Sequence, residues 1–294
     1  MSAEQAGPRS VVDGWMDELP TTSILGVWDV PEAAYHADPV PGGSMSSTLA
    51  RKILAPGCPA LVRWAAENPP APKSTFDLGS ATHKLVLGKG AALVEIEHND
   101  YRTAKAQQSA ALARLDGKIP LLSKEMRAAE AMAEAIMAHP LAARLLAPGL
   151  FVPEGSIYWL DPVFGIWRRA MVDAISDIAG RPLLVDVKTT VAASPKKLPG
   201  HIADYGYHQQ ADWYLSGAAQ IGIRDAGFLY VFVEKTPPHL VTVVQLDTDS
   251  LVEGHRANDE AMALWARCRE SGHWPGYSDN LLTVSLPPWH KTHA

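Results

Sequence analysis

The sequence has little cysteine, with two residues, Cys58 and Cys268, in a chain of 294. Two distant thiols cannot build a disulfide scaffold, a four-cysteine zinc site or a four-cysteine iron–sulfur cluster. We therefore expect no iron–sulfur cluster. So little cysteine is typical of a protein from a reducing compartment.

Long apolar runs are also missing. The longest, residues 226–233, has about eight residues, whereas a membrane-spanning helix needs about 20. The first twenty residues carry acidic side chains and lack the apolar stretch of a signal peptide. These absences predict a soluble, cytoplasmic protein that does not contact a membrane.

The chain has no excess of basic residues: 26 Lys and Arg stand against 32 Asp and Glu, for a net charge of −6. A protein that only coats nucleic acid is usually basic, so the net negative charge disfavours this class of protein. A DNA enzyme is not excluded, because the carboxylates that bind its metal ions make its net charge more negative. Glycine-rich phosphate loops and the G-x-S-x-G and H-E-x-x-H motifs are absent.

What is present divides the chain into a lead-in and one large domain. Residues 1–44 are rich in Gly, Pro and Asp and predict an extended lead-in that Trp15, Trp28 and Tyr35 could partly order. Residues 45–294 predict one domain, with a helical part over 45–147 and an αβ core over 148–294. Alanine-rich composition and helix-capping residues indicate helices over 46–54, 58–67, 74–88, much of 101–146, 203–221 and 250–271. Branched and aromatic runs indicate strands over 155–160, 165–175, 183–188, 227–234 and 240–246, and we expect the aromatic tail to pack back on the domain.

Acidic and basic side chains fall within the predicted strands. Side chains alternate along a strand, so Asp186 and Lys188 share one face of the segment VDVKTT, while the valines between them face the other way. If the preceding strand, MVDAI, is adjacent, its Asp173 reaches the same point. Two converging carboxylates suit Mg²⁺ or Mn²⁺, and a neighbouring lysine can position water or stabilise a phosphate. The alternative is an ordinary ion pair on an edge strand.

A helix with an aromatic stripe follows these strands. Tyr207, Gln210 and Tyr214 lie on one helical face in the segment YGYHQQADWY. A glutamine within such a stripe indicates a buried hydrogen bond, and the alternative is a core helix whose glutamine only satisfies backbone groups. Arg168 and Arg169 adjoin the predicted site and could hold a DNA phosphate, or could lie on a solvated strand edge.

Taken together, these motifs resemble the PD-(D/E)xK nuclease superfamily and its RecB-like branch. The segments LGSATHKLVLG, MVDAI, LLVDVKTT and YGYHQQADWY, in this order, are similar to the phage and prophage RecE (exonuclease VIII) nuclease group, over roughly residues 25–290. The resemblance implies an α/β (α+β) fold with a restriction-endonuclease-like core. In that fold, helices flank a mixed central sheet behind a helical N-terminal half.

The resemblance also implies roles for individual residues. It assigns metal binding to Asp173, Asp186 and His83. It places the following residues in the catalytic machinery: Lys188, Asp186, Asp173, Gln210, Tyr214 and Glu154. Tyr207 is implied as an aromatic neighbour that contacts DNA.

The implied activity is Mg²⁺- or Mn²⁺-dependent exonuclease digestion of linear double-stranded DNA. The family's polarity implies 5′→3′ resection that leaves 3′ single strands for an annealing partner in phage recombination. It further implies a ring-shaped homo-oligomer in the cytoplasm of a bacterial host. Two alternatives stay open: a structure- or site-selective endonuclease of the same superfamily, and a catalytically silent DNA-binding or assembly module.

Overall fold

A computed structural model describes residues 9–10, 24–54, 58–68 and 74–286 of the chain. The strands are β1 (Arg9–Ser10), β2 (Ile24–Asp29), β3 (Met45–Ser46), β4 (Leu93–Ile96), β5 (Ile119–Leu122), β6 (Phe151–Leu160), β7 (Trp167–Ile178), β8 (Arg181–Thr190), β9 (Gly227–Glu234) and β10 (Val241–Val244). The helices are α1 (Glu32–His36), α2 (Ser47–Leu54), α3 (Pro59–Glu67), α4 (Ser74–Leu87), α5 (Ala104–Leu115), α6 (Ser123–Ala138), α7 (Pro140–Leu145), α8 (Leu198–Asp204), α9 (Tyr207–Gln220) and α10 (Thr248–Ser271).

One mixed sheet organises the described residues, with strand order β1-β2-β6-β7-β8-β9-β10 and β3 added alongside β7. Strands β6, β7 and β8 form an antiparallel meander, whereas β8 and β9 run parallel. A parallel pair needs a crossover connection, and here α8 and α9 supply it. The crossover places the start of α9 beside the middle of β8, which matters for the site. Strands β4 and β5 form a separate small parallel sheet.

Helices cover both faces of the main sheet and bury a core on each. On one face, α2, α9 and α10 pack on a cluster that includes Trp159, Trp213 and Phe232. On the other, α4, α6 and α7 pack on Val185, Val187 and neighbouring aliphatic residues. The predicted mixed sheet flanked by helices is thereby confirmed.

The structure divides one predicted helix and adds strands that were not predicted. The helix expected over 203–221 is two helices, because Gly206 takes a left-handed φ of 63° between α8 and α9. A Cβ at this position would come within 2.9 Å of Arg51 Cδ, so glycine suits both the backbone and the close packing. The short strands β4 and β5 lie in the half that was expected to be helical.

The two ends of the chain also differ from expectation. Of the predicted lead-in, residues 24–29 form β2, which pairs with β6, and residues 32–36 form α1; Trp15 lies outside the described residues. Of the tail, Trp274 packs on Trp265 with ring centroids 5.1 Å apart, but Tyr277 and Leu281 are exposed. The expectation that the tail packs back therefore holds at Trp274 and is wrong for residues 276–286, which are exposed. None of the helices in the described residues has the length and apolar composition needed to cross a membrane.

Candidate active site

The centre of the candidate site is the pair Asp186 and Lys188 on β8. Their side chains share one face of the strand and form an ion pair, while Val185 and Val187 are fully buried on the opposite face, as the alternation predicted. Asp186 is 2% exposed. Strand β8 lies between β7 and β9 inside the sheet, so this is not an ion pair on an edge strand.

The second oxygen of the Asp186 carboxylate is held by α9. Gln210 Nε2 donates to Asp186 Oδ2 over 2.9 Å, and both side chains are buried. Tyr207 lies one turn earlier, with its ring centroid 5.3 Å from Lys188 Nζ. Tyr214, one turn later, is buried against Gln210. The predicted helical stripe therefore meets the two charged residues of β8.

Asp173 lies where β7 and β8 separate. The ladder between these strands ends at Ala174 and Val185. Beyond this pair, the Val187 N–H donates to Asp173 Oδ2 over 2.8 Å. The Asp173 carboxylate thus takes the place of the backbone carbonyl that a continued ladder would offer. Strand β7 also changes face here: Val172 packs in one core and Ala174 in the other. This irregularity directs Asp173 into the gap between the strands.

His83 reaches the same gap from α4. Its Nε2 lies 2.7 Å from the Val187 carbonyl oxygen, an acceptor, so this nitrogen carries a hydrogen and donates it. The other ring nitrogen, Nδ1, then faces Asp173 Oδ2 at 3.5 Å. In the neutral ring Nδ1 is a lone-pair donor to a metal or a proton. The Nδ1 lone pair and the Asp173 carboxylate oxygen together favour the binding of a positive charge between them.

The electrostatics of the site point the same way. Burial, together with the charge of Asp186, raises the pKa of Asp173 above that of an ordinary carboxyl, against the opposing effects of His83 and Lys188. Burial alone would lower the pKa of Lys188, but the charges of Asp186 and Asp173 outweigh it, and the pKa is raised. Lys188 is therefore a cation at neutral pH.

Glu154 borders the site from β6. Its backbone has a positive φ of 49°. The pairing of β6 with β7 is interrupted at this residue, opposite Asp173. It lines a cavity of about 320 Å³ together with His83, Asp173 and Tyr214. Burial and the nearby charge of Glu32 raise the pKa of Glu154. The structure thus brings together the predicted set Asp173, Asp186, Lys188, His83, Gln210, Tyr207, Tyr214 and Glu154.

Arg168 does not join this set, and its predicted contact with DNA is corrected. The side chain is 3% exposed, and its guanidinium lies 3.7 Å from the ring centroid of Trp213 and 4.8 Å from that of Trp159. It forms an ion pair with Asp161 at 3.0 Å. A cation stacked between two core tryptophans cannot reach a phosphate outside.

Arg169 points to the opposite side and lines the cavity that holds Asp173. It forms an ion pair with Asp38 at 2.6 Å and donates to the Ser44 carbonyl oxygen over 2.7 Å. Arg169 is buried and paired as well, but it borders the cavity, so its contact with a DNA phosphate stays a prediction. Nothing in the sequence pattern indicated Asp38, since it lies in the segment that was expected to be an extended lead-in.

A metal ion fits this site by ligand chemistry. Asp173, Asp186 and His83 offer the oxygen and nitrogen donors that divalent ions take in proteins. Within the described residues, however, no three His, Cys, Asp or Glu side chains are already arranged as a ligand cluster. Lys188 contacts one oxygen of Asp186, and the other accepts from Gln210. A metal ion would therefore share the Asp186 carboxylate with Lys188 and Gln210, since each carboxylate oxygen has a further lone pair.

Fold and site together define a class: an α/β domain with an aspartate, a D-x-K pair and a helical glutamine at the divergence of two central strands. Residues 47–285 match the family described as a PDDEXK-like domain of unknown function (DUF3799), and the chain belongs to this family. That assignment agrees with the PD-(D/E)xK resemblance of the sequence. No curated protein is significantly similar to the chain.

Comparison with solved structures supports the fold. A candidate exonuclease from Eubacterium rectale has a TM-score of 0.61 and 12% identity, with 88% of this chain and 96% of that chain covered. An alkaline exonuclease from Laribacter hongkongensis has a TM-score of 0.27 and 12% identity, with 68% and 97% covered. A TM-score of 0.27 is too low to support a shared fold. The first supports the fold.

Proposed function

We propose that this protein is a metal-dependent deoxyribonuclease that hydrolyses phosphodiester bonds in DNA. The observation that carries the proposal is the convergence of Asp173, Asp186 and Lys188 where β7 and β8 separate, in a chain that belongs to a PDDEXK-like family. Members of this nuclease type generally use divalent metal ions, and Mg²⁺ or Mn²⁺ is the ion that we propose here.

Each residue of the site has a part in the proposed reaction. Asp173, Asp186 and His83 would hold the ion. A divalent ion bound there would lower the pKa of a water molecule and neutralise charge on the phosphate. Lys188, a cation, would orient the attacking water and stabilise the negative charge that develops on the phosphate oxygens. Gln210 fixes Asp186, and Glu154 lines the approach.

We further propose an exonuclease that resects linear double-stranded DNA in the 5′→3′ direction. The 3′ single strands that remain would pass to an annealing protein in phage-type recombination within a bacterial cytoplasm. The RecE-like order of the motifs supports this choice, and it also supports a ring-shaped homo-oligomer. A structure- or site-selective endonuclease would use the same residues, and cleavage of closed circular DNA would favour it.

A catalytically silent DNA-binding module is the remaining alternative. A silent module has no need for two carboxylates and a lysine that converge in a half-buried gap, because burial of charged groups is costly. Salt-sensitive DNA binding without metal-dependent hydrolysis would favour it.

The test is a digestion time course on linear duplex DNA labelled separately at each end, beside a closed circle. It uses Mg²⁺ or EDTA with the wild type, Lys188→Ala and the surface variant Lys118→Ala, which matches the lost charge. We expect metal-dependent loss of the linear DNA only, with the rate lowered about 10²–10⁴-fold in Lys188→Ala and unchanged in Lys118→Ala. Survival of both DNAs with Mg²⁺ and with Mn²⁺ would overturn the nuclease proposal.

A further inference from the structure

A second cleft, of about 540 Å³, shares Lys188 and His83 with the candidate active site. Its walls come from α2, α4, the end of β8, the junction of α8 and α9, and the residue after β9. A volume of this size accommodates a small ligand such as a nucleotide.

Stacked aromatic rings form one wall of the cleft. Tyr205 is 57% exposed and belongs to the short junction between α8 and α9. Its ring stacks on that of Tyr207 with centroids 5.7 Å apart and planes 23° apart, and His201 packs beside it at 4.5 Å. Tyr207 in turn lies against Lys188. The exposed ring of Tyr205 therefore contacts Tyr207, which in turn contacts the candidate catalytic Lys188.

Cations line the same cleft. Arg51 is fixed there, because its Nη1 donates to the Tyr205 carbonyl oxygen over 2.8 Å and its Nε donates to that of Ser47 over 3.3 Å. Lys235 follows β9, and its backbone N–H donates to the Thr190 carbonyl oxygen over 2.8 Å. Neither Arg51 nor Lys235 has a carboxylate within ion-pair distance among the residues that the structure describes. Two uncompensated positive charges in a protein of net charge −6 mark a place for an anion.

We propose that this cleft binds single-stranded DNA, with a base stacked on Tyr205 and adjacent phosphates paired with Arg51 and Lys235. An exposed aromatic face flanked by cations is the combination that holds single strands without regard to sequence. The inference rests on the proposed function, since it places the strand beside Lys188. Binding can nevertheless be measured without hydrolysis.

The test is fluorescence anisotropy of a labelled ten-nucleotide oligo-dT with the full chain in EDTA, where no metal-dependent reaction proceeds. Loss of the ring in Tyr205→Ala should weaken binding about 5- to 100-fold. Tyr205→Phe, which retains the ring, should bind like the wild type, and so should Tyr277→Ala, which removes an exposed tyrosine outside the cleft. Because Arg51 bonds to the backbone of residue 205, the alanine variant retains that contact, and a thermal melt checks its fold.

Salt dependence separates stacking from charge. Lys235→Ala should reduce the slope of log affinity against log salt by about 0.7, the value for one phosphate contact on a single strand. Tyr205→Ala should leave that slope unchanged. Wild-type protein that does not bind the oligonucleotide, or folded Tyr205→Ala that binds it equally well, would overturn the inference. Tyr205-dependent binding in a protein that hydrolyses no DNA would support the inference while the nuclease proposal fails.

Discussion

Two adjacent glutamines of α9 are about equally buried, but only one of them donates to a charged group. Gln210, 4% exposed, donates to the Asp186 carboxylate over 2.9 Å. Gln209, 5% exposed, has a side-chain Nε2 with no partner among the described residues. We expect Gln210→Leu to destabilise the fold and Gln209→Leu to leave its stability unchanged or raise it.

The magnitude follows from the charge of the acceptor. A hydrogen bond to a charged group contributes about 1.5–3 kcal/mol, and its loss leaves a buried oxygen unsatisfied. Leucine has nearly the volume of glutamine, so no cavity is added. We expect Gln210→Leu to lower the free energy of unfolding by about 1.5–3 kcal/mol, and the melting temperature by about 2–5 °C. In Gln209→Leu an unsatisfied donor is replaced by apolar atoms, a change that is neutral or stabilising.

The assay is thermal and urea unfolding in EDTA of the wild type, the two leucine variants, Asp186→Ala and the double variant Asp186→Ala/Gln210→Leu. The double-mutant cycle should give a coupling of about 1.5–3 kcal/mol between Asp186 and Gln210. Equal destabilisation by the two leucine substitutions, or additive effects in the cycle, would refute the idea that Gln210 acts through Asp186. Hydrolysis by Gln210→Leu should also fall about 100-fold, because small displacements at reacting groups have large effects on rate.

Two further predictions concern stability. Because the pKa of Asp173 is raised in the folded state, its carboxyl stabilises the fold fully below the unfolded pKa of about 3.9, and the contribution is lost as pH rises through the folded pKa. Asp173→Asn in EDTA should therefore be more stable than the wild type in urea at pH 8 and show no such advantage near pH 4; an advantage independent of pH would contradict this reasoning. At the contact of α9 with α10, a Cβ on Gly254 would lie 2.3 Å from the His208 carbonyl oxygen, so Gly254→Ala should destabilise by about 1–3 kcal/mol. Gly200→Ala, where a Cβ meets nothing within 4 Å, is its control, and equal melting temperatures for the two would count against the contact.

Elements with strong local patterns were predictable from the sequence. Strand β9 has the bounds that its apolar run predicted, residues 227–234, because it is buried on both faces of the sheet. The strands β4 and β5 were not predictable, since four-residue segments have little periodicity and pair only with each other. The division between α8 and α9 depends on the single left-handed residue Gly206, within a pattern that is helical on both sides.

The site shows the same limit. Strand alternation was sufficient to place Asp186 and Lys188 on one face, and this holds in the structure. The direction of Asp173 depends on a local change of face in β7, which no alternation rule anticipates. Arg168 and Arg169 are neighbours in sequence and point to opposite sides of the sheet. Both are buried, and the tryptophans that hold Arg168 in the core come from other elements of the fold.

Strand β2 gives the fold a boundary that differs from the boundary of the family match. The family match begins at residue 47, yet β2 and α1 lie before it; β2 pairs with β6, and Asp38 neutralises Arg169 beside the cavity. A chain cut at the family boundary would leave β6 as an open sheet edge, which invites aggregation, and would leave the Arg169 guanidinium uncompensated. The unit that folds is thus larger than the span of the family match, and a fragment of this chain trimmed to residues 47–285 would be expected to lose solubility although it retains the candidate catalytic residues.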